Sequence, residues 1–484
     1  MNKVSKEISR NPELQSRFLV LKALTDTSVK MLPTEKLTIL AKRYEISANN
    51  RALAGDLLCG VIKRQLTIDN LINKIAGRNT KRIERDLLII LRLGIYQLLF
   101  EEGIPDFAAI DTSCKLAGIF ARKKQIGFVN AVLRTIQRAI VESNLKLKDK
   151  YSESERDNRE DEKYILPIDT RKGIRFSREI LPDSKTNIAK YLSLAYSYPR
   201  WLIQRWLGRW DCNTLTRILS AGNARAAIML RPNVAKLKMH AAEQLANILE
   251  SEGCNVKVLQ EHQFVQLLSG PAITTLKAYK NGFFQVQDPT SAMLVKNLKL
   301  NKGMKILDLC AGLGTKTTQI AEMANDNVEV FASDKDENKL KSLMRNAKRL
   351  ALKSIREISL AELQQLKYHG YFDIVILDVP CTNSGVFDRR PEARWRIKQE
   401  SFQLFGKASI DLLDFARELV RPNGQIGFST CSIDREENEY VIEQFSQQND
   451  FTVRKQELIL PVYDEASSRT IFSGGYYSVL SKSN

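Results

Sequence analysis

From about Gly282 onward, short apolar runs alternate with amphipathic stretches of helical period. Few folds satisfy that alternation other than a doubly wound parallel sheet with helices on both faces. In such a sheet the ligand crevice lies outside the carboxyl ends of the strands, so the chemistry is expected just past the apolar runs. Two thiols stand there: Cys381, in Leu377-Asp378-Val379-Pro380-Cys381-Thr382-Asn383-Ser384-Gly385, and Cys431, in Phe428-Ser429-Thr430-Cys431-Ser432.

The first crossover carries a ligand signal. Met304 to Cys310 reads as a buried strand, and Ala311-Gly312-Leu313-Gly314-Thr315-Lys316-Thr317-Thr318 opens a helix. Gly312 and Gly314 let the backbone pass close to a ligand, and the helix start offers free N–H groups. A second run, Val328 to Ser333, ends at Asp334, whose carboxylate suits the hydroxyls of a ribose. A phosphate-binding P-loop needs a glycine directly before its lysine, where this chain has Thr315. A dinucleotide fingerprint wants a third glycine, and Thr317 occupies that place. S-adenosylmethionine, with a ribose and no phosphate, tolerates the looser pattern. The candidate cofactor residues are Asp308, Cys310, Ala311, Gly312, Leu313, Gly314, Thr315, Lys316, Asp334, Lys335 and Asp378; the Cys310 side chain itself, inside an apolar strand, is assigned to the core.

A chain of 484 residues implies two or three domains. Lys and Arg exceed Asp and Glu by 74 to 56, which favours a polyanionic partner such as nucleic acid over a merely solubilising surface. The seven cysteines lack paired or metal-type spacing, a reduced, cytosolic pattern with no metal expected. The start, Met1-Asn2-Lys3-Val4-Ser5-Lys6-Glu7, has no apolar core of a secretory signal. The run Leu87 to Phe100 contains Arg92 and Gln97 and is too short to span a bilayer, so membrane insertion is not expected.

Residues 1–142 read as an all-α bundle, with helices over Glu13 to Leu32, Arg51 to Gln65, Leu87 to Phe100 and Val129 to Val141, punctuated by Pro33, Gly77, Gly103 and Gly127. Arg122-Lys123-Lys124, Arg134 and Arg138 form a basic face that either grips phosphates or is simply solvated. Residues 143–185 turn polar and charged and read as a mobile linker or insertion. Residues 186–281 read as a small α+β adaptor, and 282–484 as the α/β domain.

The thiols fit a particular reaction. Cytosine carbon 5 takes a methyl group only after a nucleophile adds to carbon 6, and a thiolate does that well. A carboxyl such as Asp378 beside ring nitrogen 3 would stabilise the adduct. Two cysteines permit one to attack and the other to assist release. Against this, a lone cysteine at a strand end is usually a small core hydrophobe, and Asp378 could merely cap a turn at Pro380. None of His240, His262 and His369 falls in these motifs, so thiolate formation must rest on local charge or helix dipoles.

Asp378-Val379-Pro380-Cys381, Ser429-Thr430-Cys431-Ser432, Gly282-Phe283-Phe284-Gln285-Val286-Gln287-Asp288 and Arg389-Arg390-Pro391-Glu392-Ala393-Arg394-Trp395 resemble the RNA cytosine-C5 methyltransferases. Leu91 to Leu99 and Phe128 to Arg134 resemble the NusB-like antiterminator domain. The two halves in this order resemble the bacterial 16S rRNA cytosine-C5 methyltransferases of the Sun or Fmu type, over nearly the whole chain. That resemblance implies a NusB-like RNA-binding domain, an adaptor, and a Rossmann-like class I domain using S-adenosylmethionine. It implies a cytoplasmic enzyme that acts on naked or early-assembly 16S rRNA at the family's target, cytosine 967, with no obligatory protein partner. Cys431 would attack, Cys381 would expel the product, Asp378 would hold the cytosine, and Gly312, Gly314, Asp334 and Lys316 would serve the cofactor.

The chain departs from the family pattern at three places. Its loop lacks the proline and one glycine of Ala-Pro-Gly-Gly-Lys-Thr, with β-branched Thr315 restricting the backbone. After the third strand, Arg356-Glu357-Ile358-Ser359-Leu360-Ala361-Glu362 lacks the aspartate expected at the adenine. Gly474-Gly475-Tyr476-Tyr477 stands where Asp-Gly-Phe-Phe is common. Alternative readings are an RNA-binding assembly protein with a decayed catalytic domain, an enzyme acting on another RNA, and a DNA cytosine methyltransferase. The last would need Cys381 as nucleophile and more chain than Ile433 to Asn484 supplies. Trp395, beside Arg394 and Arg396, would stack on a base or pack.

Overall fold

The computed structural model describes residues 8, 11–26, 31–120, 123–147 and 160–482. They form two compact units: Met1–Ala224 with Arg390–Trp395, and Arg225–Arg389 with Arg396–Asn484.

The first unit holds α1 (Pro12–Thr25), α2 (Pro33–Arg43), α3 (Ala48–Lys74), α4 (Arg85–Phe100), α5 (Asp106–Phe120) and α6 (Lys123–Ala139), then β1 (Ile140–Lys146), β2 (Ile165–Pro167) and β3 (Lys172–Phe176), then α7 (Ile188–Tyr196), α8 (Arg200–Leu207) and α9 (Cys212–Asn223). Helix α4 is apolar on almost every side and runs through the core, burying Ile90, Leu91, Leu93 and Ile95. Its one charge beyond the first turn, Arg92, is matched by Asp69 of α3, with Nε and Nη2 donating to the two carboxylate oxygens at 2.8 and 2.6 Å. Gly60 is tolerated inside α3 because a Cβ there would lie 2.0 Å from the Tyr96 ring; close approach outweighs its helix cost. Gly127, expected to break a helix, lies inside α6.

The 143–185 stretch is corrected in part. β1, β3 and β2 pair antiparallel in that order, with Leu166, Ile174 and Phe176 buried, so the apolar residues that follow the charged run make a packed element. The core of that run, 148–159, and Arg122 lie outside the described residues.

Arg390–Trp395 belongs to this unit. Arg394 is wholly buried. Its Nη1 donates to the carbonyls of Lys63 (3.3 Å) and Ser197 (3.2 Å) and to Asn223 Oδ1 (2.8 Å), and its Nη2 to Gly222 O (2.9 Å) and Tyr198 Oη (3.1 Å). The guanidinium lies 3.8 Å from the Tyr198 ring centre, a stacked cation–π contact. Trp395 donates Nε1–H to Ile62 O at 2.9 Å. Of the two roles read for this tryptophan, the geometry serves packing.

The second unit contains β4 (Arg225–Ala226), β5 (Ile228–Pro232), α10 (Ala241–Ser251), β6 (Asn255–Leu259), β7 (Phe264–Ser269), β8 (Phe284–Val286), α11 (Pro289–Lys296), β9 (Lys305–Asp308), α12 (Thr315–Met323), β10 (Glu329–Ala332), α13 (Glu337–Leu350), β11 (Ile355–Glu357), β12 (Phe372–Asp378), α14 (Gln399–Leu419), β13 (Val420–Thr430), α15 (Glu439–Gln448), β14 (Phe451–Ile459), β15 (Val462–Asp464), β16 (Arg469–Phe472) and β17 (Gly475–Lys482). The main sheet has seven strands in the order β11-β10-β9-β12-β13-β17-β14. The five strands β9 to β13 are parallel, and β17 runs antiparallel between β13 and β14. Two apolar layers cover it, one around Leu377, Phe428 and Leu413, the other around Ile306, Val330 and Leu343.

The adaptor sheet, β6-β7-β5-β8, lies in this same unit, so the break between compact units falls after Ala224 rather than near 185 or 281. A buried ion pair fastens the adaptor to the cofactor side: Arg231 of β5 meets both Glu322 oxygens of α12 at 2.9 and 3.0 Å and donates to Thr315 O at 3.0 Å. Among the described residues no helix is long and apolar enough to cross a membrane.

Candidate active site

Chain order reverses between β9 and β12, so the crevice expected at a topological switch point opens at their carboxyl ends. Strands β12 and β13 are parallel neighbours with Asp378 opposite Ser429. Cys381 comes three residues after the one and Cys431 two after the other, so sheet register alone brings both thiols to one rim. Their sulfurs lie 3.0 Å apart, and Cys431 Sγ donates to Asn383 Oδ1 at 3.1 Å. Asn383 takes the left-handed conformation, φ 63°, which turns its side chain back to the sulfur; asparagine tolerates that region better than most residues. The hydrogen bond to Cys431, then burial, raises the Cys381 thiol well above its ordinary pKa. Cys381 is buried and Cys431 half-buried, so the thiol with access to a ligand is that of Cys431.

Asp378 ends β12 with a side chain 45% exposed. Ser429 Oγ donates to its Oδ1 at 2.9 Å, and Lys316 Nζ pairs with its Oδ2 at 2.7 Å. Lys316 also donates to Ser291 Oγ at 3.1 Å. This lysine, read from sequence as a cofactor-loop residue, therefore ties the loop to the cysteine rim. A cavity of about 90 Å³ opens here, lined by Asp378, Cys431, Lys316, Ser291, Arg389 and Tyr476 among others.

On the cofactor side, strand β9 stops at Asp308, so Cys310 sits in the turn and is only partly buried, not inside a strand as expected. Burial, then the Asp308 charge, pushes its thiol up to about 12. Gly312 and Gly314 both have positive φ, 55° and 81°. A Cβ on Gly314 would lie 2.3 Å from Leu343 Cγ, so this position needs glycine twice over. Thr315 does not: it is the first residue of α12, where a β-branched residue fits. Leu313 is exposed at the loop tip and Lys335 beyond β10; Ala311 is buried, its N–H donating to Ser333 O. Asp334 accepts from Gly312 N at 2.8 Å and Asp336 N at 2.9 Å, leaving a lone pair on each oxygen.

Asp308 is fully buried and accepts from Thr317 Oγ1 at 2.7 Å, while its Oδ1 has no partner in the described structure. Burial pushes this carboxyl up to about 7. A carboxylate beyond β10, two glycines at positive φ of which Gly312 faces open space, an orphaned acceptor and no phosphate-type loop fit a nucleoside with hydroxyl and amino donors, as S-adenosylmethionine is. Near the missing adenine aspartate, Glu362 is turned to the Ser359 N-cap instead, accepting Ser359 N at 2.9 Å and Oγ at 2.7 Å. At the third departure, Gly474 has no room for a side chain, with Ile433 Cγ2 2.8 Å from its would-be Cβ. The two tyrosine hydroxyls bind β14 side chains, Tyr476 to Gln456 at 2.6 Å and Tyr477 to Glu457 at 2.7 Å.

Sequence reading missed Glu437. It is fully buried and accepts from Thr382 N (2.7 Å), Thr382 Oγ1 (2.6 Å) and Ser432 Oγ, joining the residues that follow the two cysteines. In Asp434-Arg435-Glu436-Glu437-Asn438-Glu439 it looks like one more solvated charge.

Strand order, glycine loop and rim define a class I S-adenosylmethionine-dependent methyltransferase. Three family models match in succession: the NusB family over residues 14–138, the RsmF/B-like ferredoxin-like domain over 198–272, and the 16S rRNA methyltransferase RsmB/F over 295–469. Among relatives, the probable ribosomal RNA small subunit methyltransferase B of Bacillus subtilis (strain 168) is 27% identical over 85% of this chain and 83% of its own. The ribosomal RNA small subunit methyltransferase B of Escherichia coli O6:K15:H31 is 27% identical over 84% of each. In fold, the chain is similar to the crystal structure of PH0851, with a TM-score of 0.70 at 21% identity over 97% of this chain and 99% of that one. It is also similar to NSun6 from Pyrococcus horikoshii, solved with SFG, with a TM-score of 0.51 at 18% identity over 61% and 100%. Over residues 295–469 the chain is similar to the 16S rRNA methyltransferase RsmB/F family, and the three matches together follow the order of its domains.

Proposed function

We propose that the protein methylates carbon 5 of one cytosine in 16S rRNA through a covalent adduct on Cys431. The observation that carries this reading is the pair of thiols 3.0 Å apart on adjacent strand ends beside Asp378. Cys431 Sγ bonds to carbon 6 and places an electron pair on carbon 5. When bound, S-adenosylmethionine supplies the methyl group that carbon 5 accepts; the loop of Gly312 and Gly314 with Asp334 and Asp308 would hold it. Asp378, fixed by Ser429 and Lys316, holds the cytosine edge. After carbon 5 loses its proton to solvent, the carbon–sulfur bond breaks and its electrons return to Cys431 Sγ. Cys381, kept as the thiol, hands its proton to the departing sulfur, and the proton passes back to reset the pair. An unpaired target suits this site, since extruding a base from a loop costs least.

The test is transfer of a labelled methyl group to naked 16S rRNA, mapped to the nucleotide, with transfer RNA and duplex DNA as competitors. Label at a single 16S cytosine is expected. Label on another RNA would move the substrate, and RNA binding without label on any substrate would replace the reading with a binding-only assembly role.

A further inference from the structure

The two sulfurs sit on separate loops, and their separation is a property of whatever joins those loops. Much of the joining is neutral: Gly385 N donates to Cys431 O at 3.0 Å, and Ser384 Oγ lies 3.0 Å from Ser432 Oγ. Ser384 also donates to Asp434 Oδ2 at 2.7 Å. Glu437 is different, because one carboxylate takes all three of its donors from Thr382 and Ser432, the residues directly after the cysteines. Burying an acid without a cation costs several kcal/mol unless its lone pairs are filled, so an apolar side chain would be the cheaper way to fill this space. The acid is explained by what it holds.

We propose that Glu437 is a positioning residue that fixes the loops after β12 and β13 in the register that sets Cys381 Sγ against Cys431 Sγ. Its value for turnover rests on the covalent reading above, because proton hand-over between the thiols needs them within one hydrogen bond. Burial pushes the Glu437 carboxyl up to about 7, with Asp434 adding to the push, so at the alkaline pH where a thiol ionises it is an anion. Its charge then adds to the groups that keep Cys381 protonated.

Sulfur placement is measured without methyl transfer. Diamide oxidises two adjacent thiols to a disulfide, taking up two hydrogens as it becomes the hydrazine, and mass spectrometry identifies the Cys381–Cys431 peptide pair. In the full chain, Glu437→Ala should slow this cross-link by about tenfold or more, the scale expected for an ångström of drift. Glu437→Gln, which keeps an acceptor for Thr382 N–H, should restore most of the rate. Unchanged S-adenosylmethionine affinity by calorimetry shows that the fold is intact. If Glu437→Ala does not fold, Thr382→Val, which removes one donor, carries the same test. A cross-linking rate within about twofold of wild type in Glu437→Ala, or in Thr382→Val when that variant stands in, overturns the proposal. The covalent reading fails by a separate result: Cys381→Ala that accumulates no protein–RNA adduct.

Discussion

The glycine loop after β9 and the cysteine rim after β12 and β13 share one end of one sheet, yet they are held in opposite ways. At the loop, Leu313 is exposed, Asp308 leaves an oxygen unpartnered and Asp334 keeps lone pairs free. At the rim, Thr382, Ser384, Ser432, Asp434 and Glu437 hydrogen-bond one another until each is committed. A region that admits and releases a ligand each cycle keeps its polar groups open for it. A region that must hold two sulfurs in contact spends them on itself.

If that contrast is right, damage at the rim should stop chemistry while damage at the loop should weaken binding. The largest effect belongs to Cys431→Ala, expected to lower methyl transfer by roughly 10⁴-fold or more with no RNA adduct, as for loss of a nucleophile. Cys381→Ala should instead trap a denaturation-resistant protein–RNA adduct on gel electrophoresis, and the reverse pattern would exchange the two roles. Gly314→Ala forces a Cβ against Leu343 at positive φ and should cost about 1–3 kcal/mol in thermal unfolding, with weaker cofactor binding by calorimetry.

Asp308 and Glu437 each have a folded-state pKa of about 7, raised above the ordinary carboxyl value. The unfolded chain releases those protons first, so the cofactor-free protein should lose stability as pH rises from about 4 to about 7, by at most a few kcal/mol per group. Asp308→Asn should flatten that slope in melts across this range. The smallest effect is expected of Thr315→Gly: since Thr315 already sits in helical backbone, restoring the family's glycine should change cofactor affinity by less than about threefold.

The parts legible in sequence are those written in local pattern. Glycines after an apolar strand, an acid after the next, and two cysteines after two more place the crevice with no knowledge of packing. Glu437 was illegible because its partners are 55 and 5 residues away and it stands in a run of charged residues that reads as a solvated face. The one available signal was spacing: a carboxylate six residues past Cys431 that a single 3-10 turn returns to the strand end. Leu166, Ile174 and Phe176 were hidden because they follow closely on a highly charged run that reads as solvated. Arg231 and Glu322, 91 residues apart, carry no sequence mark of meeting.

Arg394 has a consequence for how such a chain can be divided. Six residues that lie between Cys381 and Cys431 in sequence are counted with the first 224 in space. A fragment ending at Ala224 would lack the guanidinium that satisfies the carbonyls of Lys63, Ser197 and Gly222, and would carry a hole lined by acceptors. No single cut yields both halves intact. The first unit is complete only with six residues that the chain supplies from the midst of the second.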